Sequence, residues 1–122
     1  ESVDYINVHG TSTPLGDKSE INAIEKVFGE YSYNLNISST KSMTGHLLGA
    51  AGAIESIASI FTLNENKIPP TINHKTFDEE INKNLNLTLN KFQERNSEIV
   101  MSNTFGFGGH NTSVIFKKYH NQ

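Results

Sequence analysis

Between Leu47 and Leu63 the chain reads LLGAAGAIESIASIFTL, and no other stretch restricts the fold so strongly. Apolar residues occupy every side of a helical projection, and Gly49, Ala50, Ala51, Gly52 and Ala53 let a neighbouring backbone approach closely, so the segment predicts a buried helix. Crossing a bilayer takes about 20 apolar residues. This run is shorter and is interrupted by Glu55 and Ser56, which argues against a span. A lone carboxylate in such a helix costs several kcal/mol unless a partner neutralises it, and Lys41, in the polar loop Ser39 to Gly45, is the natural cation. Glu55 follows His46 by nine residues, or 2.5 helical turns, so a Lys41–Glu55 pair is expected beneath His46 and not in contact with it. A buried ion pair with no part in chemistry explains the same residues equally well.

Composition narrows the function classes. A chain of 122 residues and 13.5 kDa fits one domain. The net charge of −3 offers no basic field for a phosphate backbone, so no nucleic-acid partner is expected. Cysteine is absent, which removes disulfides, thiolate metal sites and any cysteine nucleophile contributed by this chain. The histidines His9, His46, His74, His110 and His120 show no i,i+3 or i,i+4 pairing and no HExxH, so no metal site is expected. His74 and His120 read as surface residues. The opening Glu-Ser-Val-Asp-Tyr lacks an initiator Met, a charged n-region and an apolar h-region, so it reads as a cut start without a targeting peptide. Abundant Asn, and Lys outnumbering Arg 9 to 1, point to an AT-rich genome.

Residues Val3 to Val8 form a β-rich run with Val3 and Tyr5 on one side and Ile6 and Val8 on the other, ended by His9-Gly10. Turn chemistry follows, and Asp17 with Glu20 three residues later resembles a capping box opening a helix to Phe28. Ile21, Ile24, Val27 and Phe28 make its apolar face, and Gly29 supplies the stop. Leu35 to Ser39 predicts a second strand. Beyond Pro69-Pro70, residues 71–84 read as a polar excursion, and Leu85, Leu87 and Leu89 alternate with polar residues as a strand with one wet face. Ile99 to Asn103 and Ser113 to Phe116 predict two more strands, joined through Phe105-Gly106-Phe107-Gly108-Gly109. The expected order is β-α-β-α-β-β-β, an α/β class with a mixed sheet around the small-residue helix.

Three turns at strand ends carry reactive or permissive residues: His9 to Thr13, Lys41 to His46, and Phe105 to Gly109. In α/β sheets ligands gather where loops leave the strand termini, so all three can line one cleft. His46 stands at the start of the small-residue helix, where the dipole and free N–H groups disfavour an imidazolium and favour a neutral ring that donates one hydrogen bond. For a lone histidine a packing cap is the better reading, but His9 offers a matching donor from another strand end. Gly106, Gly108 and Gly109 permit positive φ and close backbone approach, yet without a strand-turn-helix context they form neither a dinucleotide fingerprint nor a P-loop. Phe105 and Phe107 read as core residues or, alternating with glycine on a mobile turn, as a gate.

The segments HGTSTPLGDKSE at 9–20, STKSMTGHLLGAAGAIES at 39–56, PPTIN at 69–73 and SNTFGFGGHN at 102–111 closely resemble the C-terminal half of type II, elongating β-ketoacyl-[acyl-carrier-protein] synthases. The resemblance covers nearly the whole chain. It implies the second half of a thiolase-like fold, with the acyl-bearing cysteine in an absent N-terminal half. It also implies an acyltransferase that condenses an acyl thioester with malonyl-carrier protein by decarboxylative Claisen chemistry in fatty acid elongation. His9 and His46 then match the histidines of a Cys-His-His triad, with Lys41 and Glu55 organising the site. Thr11 and Thr13 match threonines that bond the phosphopantetheine arm. Phe107 matches the gating phenylalanine whose backbone N–H helps form the acyl oxyanion hole, and Phe105 and Gly108 are placed with it on the substrate side. Asp17 and Glu20 match acidic positions that the capping box already explains, so they stay outside the site.

The same resemblance implies no metal or organic cofactor, acyl carrier protein and the N-terminal half as partners, a homodimer for the full-length enzyme, and no membrane partner. A polyketide-type ketosynthase and a non-catalytic chain-length factor are the rival functions. His110, where many bacterial members carry threonine, is nearer a plant-like form of that turn, so the expected compartment is the cytoplasm of a bacterium or a plastid-type organelle. The chain alone is expected not to condense thioesters.

Overall fold

The computed structural model describes residues 2–120. Strand β1 (Tyr5–Asn7) leads to helix α1 (Pro14–Phe28), a 3-10 segment at Gly29–Asn34 and strand β2 (Asn36–Ser38). A one-turn helix α2 (Lys41–Thr44) and a 3-10 turn at Leu48–Ala50 precede helix α3 (Ala51–Glu65). Then come β3 (Lys67–Ile68), β4 (Gln93–Glu94), β5 (Ile99–Gly106) and β6 (His110–Lys117). The main sheet runs β2-β1-β5-β6; β1 is parallel to β2 and β5, and β6 is antiparallel to β5. The expected mixed α/β class holds.

Alternation along the short strands sorts side chains to two faces. Ile6 and Ile37 join Val3, Val8, Ile21, Ile24, Leu35 and Leu85 on the α1 side. Tyr5 and Val100 join Leu63 and Ile68 on the α3 side. Val3, expected beside Tyr5, packs with Ile6 because the extended run begins only at Tyr5.

Several expectations are corrected. Helix α1 begins at Pro14, a first-turn proline that needs no N–H partner, with Thr13 as its N-cap. The capping box from Asp17 to Glu20 therefore does not form: Asp17 accepts from Ser12 N, and Glu20 reaches past the helix start. Val27 is 76% exposed, so the apolar stripe rests on Ile21 and Ile24. The Leu85 to Leu89 alternation makes no strand, only single bridges from Asn86 to Asn36 and from Leu89 to Thr71. Thr88 (φ 47°) and Asn90 (φ 60°) interrupt the extended backbone, and Asn86 Oδ1 turns back onto Thr88 N. The small sheet of β3 and β4 was not foreseen, and Lys41 heads a helical turn where a loop was expected.

The helix expected from Leu47 starts at Ala51 and is buried along one side only. Ala51, Glu55, Ser59, Thr62 and Leu63 face the sheet, while Ile54, Ile57, Ile60 and Phe61 are 37–60% exposed. Among the described residues no second layer covers that outer side.

Candidate active site

Because β1, β2 and β5 are parallel, their C-terminal ends share one edge of the sheet, and the three loaded turns leave from that edge. His9 follows β1 by two residues, Lys41 follows β2 by three, and Phe105 is the penultimate residue of β5. The His9 and His46 rings meet edge to face with centroids 5.4 Å apart. Phe105 packs against His9 at 5.3 Å.

Both imidazoles use Nδ1 as an acceptor. His46 Nδ1 accepts the Leu48 N–H (3.1 Å), and His9 Nδ1 accepts the Phe105 N–H (3.3 Å). An imidazole that accepts at Nδ1 carries its proton on Nε2, so each ring presents one N–H donor. The expected influence of the α3 start on His46 is corrected: α3 begins five residues later, and the local Leu48 amide sets the ring. Burial holds the His9 imidazole below its ordinary pKa, and the Lys41 charge and then His46 act in the same direction.

Lys41 and Glu55 form the anticipated ion pair, both buried, between α2 and α3. Glu55 Oε2 and Ser102 Oγ lie buried without a hydrogen-bond partner among the described residues. Around this pair runs a layer of buried polar groups: Asn7 donates to Thr40 Oγ1 (3.1 Å), the Tyr5 hydroxyl meets Ser38 Oγ (2.9 Å), and Ser38 Oγ donates to the Pro69 carbonyl. Burial pushes the Tyr5 phenol upward, so it stays a neutral hydrogen-bonding group.

Glu20, whose place in the sequence suggests only a helix cap, joins the site. Its side chain is buried; Oε1 accepts from His9 N (3.0 Å) and Asn103 Nδ2 (3.1 Å), and Oε2 from Gly10 N (3.0 Å). Burial pushes this carboxyl upward while the three donors pull it back, and Asp17 adds a smaller upward push. The signal was present: Glu20 sits one turn from Ile24 on the apolar side of α1, the same anomaly that drew notice to Glu55. Gly10 completes the turn at φ 36°, where a Cβ would stand 2.8 Å from Ser39 Cβ, and its carbonyl accepts from Ser39 Oγ (2.7 Å).

The remaining residues fall farther out. Thr11 and Thr13 bring their hydroxyl oxygens to 3.5 Å in the loop after His9. Phe105 and Gly106, expected in a turn, belong to β5, which shortens the turn to Phe107, Gly108 and Gly109. Phe107 stands 98% exposed at its tip, so it and Gly108 are not drawn in with the histidines. A cavity of about 600 Å³ lies between the Gly10–Thr13 loop, α1 and the 71–89 excursion, and neither histidine lines it. His120 pairs with Glu98 (2.6 Å) at the surface. Among the described residues no group of three His, Cys, Asp or Glu could hold a metal ion, and no helix is long and apolar enough to cross a membrane.

Residues 1–75 match the family model described as "Beta-ketoacyl synthase, C-terminal domain". The 3-oxoacyl-[acyl-carrier-protein] synthase 2 of Coxiella burnetii is 50% identical over 118 residues, 97% of this chain and 28% of that protein's length. Among solved structures, a beta-ketoacyl synthase from Burkholderia phymatum superposes with a TM-score of 0.89 at 39% identity, covering 98% of this chain and 28% of the other. A type II polyketide ketosynthase, solved with its acyl-carrier protein and bound to the hexaketide, gives 0.90 at 36% identity over 96% of this chain and 28% of that one. The chain thus has the thiolase-like fold of the ketosynthases over a little more than a quarter of their length. With a family match that runs from residue 1 through the PPTIN segment to residue 75 and a sheet edge that brings His9 to His46, the chain belongs to the beta-ketoacyl synthase family, as part of its C-terminal domain.

Proposed function

We propose that this chain supplies the enolate-stabilising half of an elongating β-ketoacyl-[acyl-carrier-protein] synthase. The observation that carries this is the pair of rings at 5.4 Å, each with its Nδ1 occupied by a backbone N–H. The acyl group sits as a thioester on a cysteine from the rest of the protein. As the C–C bond to the malonyl carboxylate breaks and CO₂ leaves, its electron pair forms an enolate whose oxygen carries the negative charge. In this scheme the two Nε2–H donors hold the thioester oxygen before its charge develops, so that little reorientation is needed during the reaction. The enolate carbon then attacks the acyl thioester and expels the cysteine thiolate. No cofactor enters these steps.

The Lys41–Glu55 pair sits behind the donors, and the Lys41 charge helps keep His9 neutral. Thr11 and Thr13 bond the phosphopantetheine arm in this scheme, and the glycine-flanked Phe107 at the exposed hairpin tip acts as the gate, with Phe105 and Gly108 beside it. Acyl carrier protein as donor is supported by the related ketosynthase solved with its carrier protein. The uncovered Ile54, Ile57 and Phe61 side of α3 supports an N-terminal half packed there. A homodimeric full-length enzyme in the cytoplasm or a plastid belongs to the same proposal.

The test is made on the full-length protein. His46→Ala is expected to slow malonyl decarboxylation by about 10²–10³-fold, while transfer of the acyl group to the cysteine survives better. Equal loss of both half-reactions overturns the donor role.

A further inference from the structure

We propose that Asn103 is a positioning residue, which together with Ser113 ties the direction of His9 to the β5–β6 hairpin. This rests on the donor role given to His9 above. Asn103 is buried on β5 and uses both ends of its amide. Its Nδ2 donates to Glu20 Oε1 (3.1 Å), and its Oδ1 accepts from Ser113 Oγ (2.8 Å) on β6. Asn103 and Ser113 stand directly opposite each other in the antiparallel register.

Glu20 spends its two oxygens on the consecutive amides of His9 and Gly10, so the side chain that holds Glu20 also holds the turn. Two residues farther along β5, Phe105 N holds the His9 ring. The hairpin therefore grips His9 twice, at the ring through a backbone N–H and at the backbone through Asn103 and Glu20. Movement of the hairpin is thereby transmitted to the His9 donor, whereas the His46 ring is held by its own neighbouring amide, Leu48.

Asn103→Asp keeps the shape and replaces the donor with a carboxylate facing Glu20. At low pH the two carboxyls share a proton and the link survives; as pH rises both ionise and repel. Asp17 on α1 adds to that repulsion, and His9 is the titratable group on the β1 side of the pair. In the full-length protein this variant is expected to lose malonyl decarboxylation at least tenfold more at pH 8 than at pH 5.5, relative to wild type, with acyl transfer to the cysteine little changed. The second substitution Glu20→Gln in the Asn103→Asp background restores a donor between the two positions and is expected to remove that pH dependence.

Hydrogen exchange of the His9 and Gly10 amides reads the same link without any activity and is expected to quicken at least tenfold in Asn103→Asp at pH 8. The milder Ser113→Ala, at an exposed position, is expected to quicken it severalfold. Unchanged exchange in both variants overturns the positioning role, and so does a decarboxylation loss independent of pH. A wild-type protein that fails to decarboxylate malonyl-carrier protein counts against the proposed function alone, because the exchange measurement still decides the role of Asn103.

Discussion

His9 can accept the Phe105 N–H at Nδ1, and so keep its ring set for the proposed reaction, only while that ring is neutral, and its surroundings favour that state. Burial and the Lys41 charge lower its pKa from the ordinary 6.5. The unfolded chain therefore binds more protons than the folded one once pH falls below that value, so the contribution of His9 to stability is present above pH 6.5 and is lost as pH drops toward the folded pKa. An NMR titration of the His9 ring is expected to give a midpoint below 6.5, and the urea midpoint of His9→Gln is expected to fall less steeply than that of wild type on acidification. A midpoint above 6.5 would contradict the burial and charge described. At this scale the residues that the candidate site brings together were legible. His9, His46, Lys41 and Glu55 were all singled out, Glu55 because a charge in an apolar run demands a partner. Glu20 escaped because a short-range cap accounted for it, and its true partners, Gly10 and Asn103, lie 10 and 83 residues away.

Between elements, the Lys41–Glu55 pair is the tie from α2 to α3. Removing one partner strands a buried charge, so Glu55→Leu is expected to destabilise the protein by about 3–5 kcal/mol. Replacing both, Lys41→Met with Glu55→Leu, is expected to recover most of that stability in chemical denaturation while leaving decarboxylation slow. If the double variant were as unstable as the single one, the penalty would lie in packing and not in charge. Strands were less legible than sites. β3 and β4, of two residues each, are too short to leave a period-two signature, and the alternation at Leu85 to Leu89 misled because Thr88 and Asn90 take positive φ. Alternating leucines record which side of the segment meets the α1 core, a condition that an irregular, kinked backbone also meets.

For the molecule as a whole, α3 turns Ile54, Ile57, Ile60 and Phe61 outward and is covered on one side only. Its composition was read as complete burial, which takes a second layer that the described residues do not supply. Ile57, 48% exposed here, separates the two situations. Ile57→Asp is expected to change the stability of the 122-residue chain by no more than about 0.5 kcal/mol. In the full-length protein the same change buries a charge and is expected to lower stability by several kcal/mol, read as a shift in the denaturation midpoint. A similar small effect in both would mean that nothing packs on that side of α3.

The amides that orient the two imidazoles come from very different distances along the chain: Leu48 is two residues from His46, whereas Phe105 is 96 residues from His9. During vectorial synthesis His46 can acquire its proton arrangement as soon as its own turn closes. His9 leaves the ribosome earlier, but its ring stays free to choose either tautomer until almost the whole segment has emerged and β5 has docked beside β1. In the proposed reaction, competence is thereby linked to completion of the sheet, and a chain truncated before Phe105 would carry both histidines while only one had its tautomer set by a backbone amide.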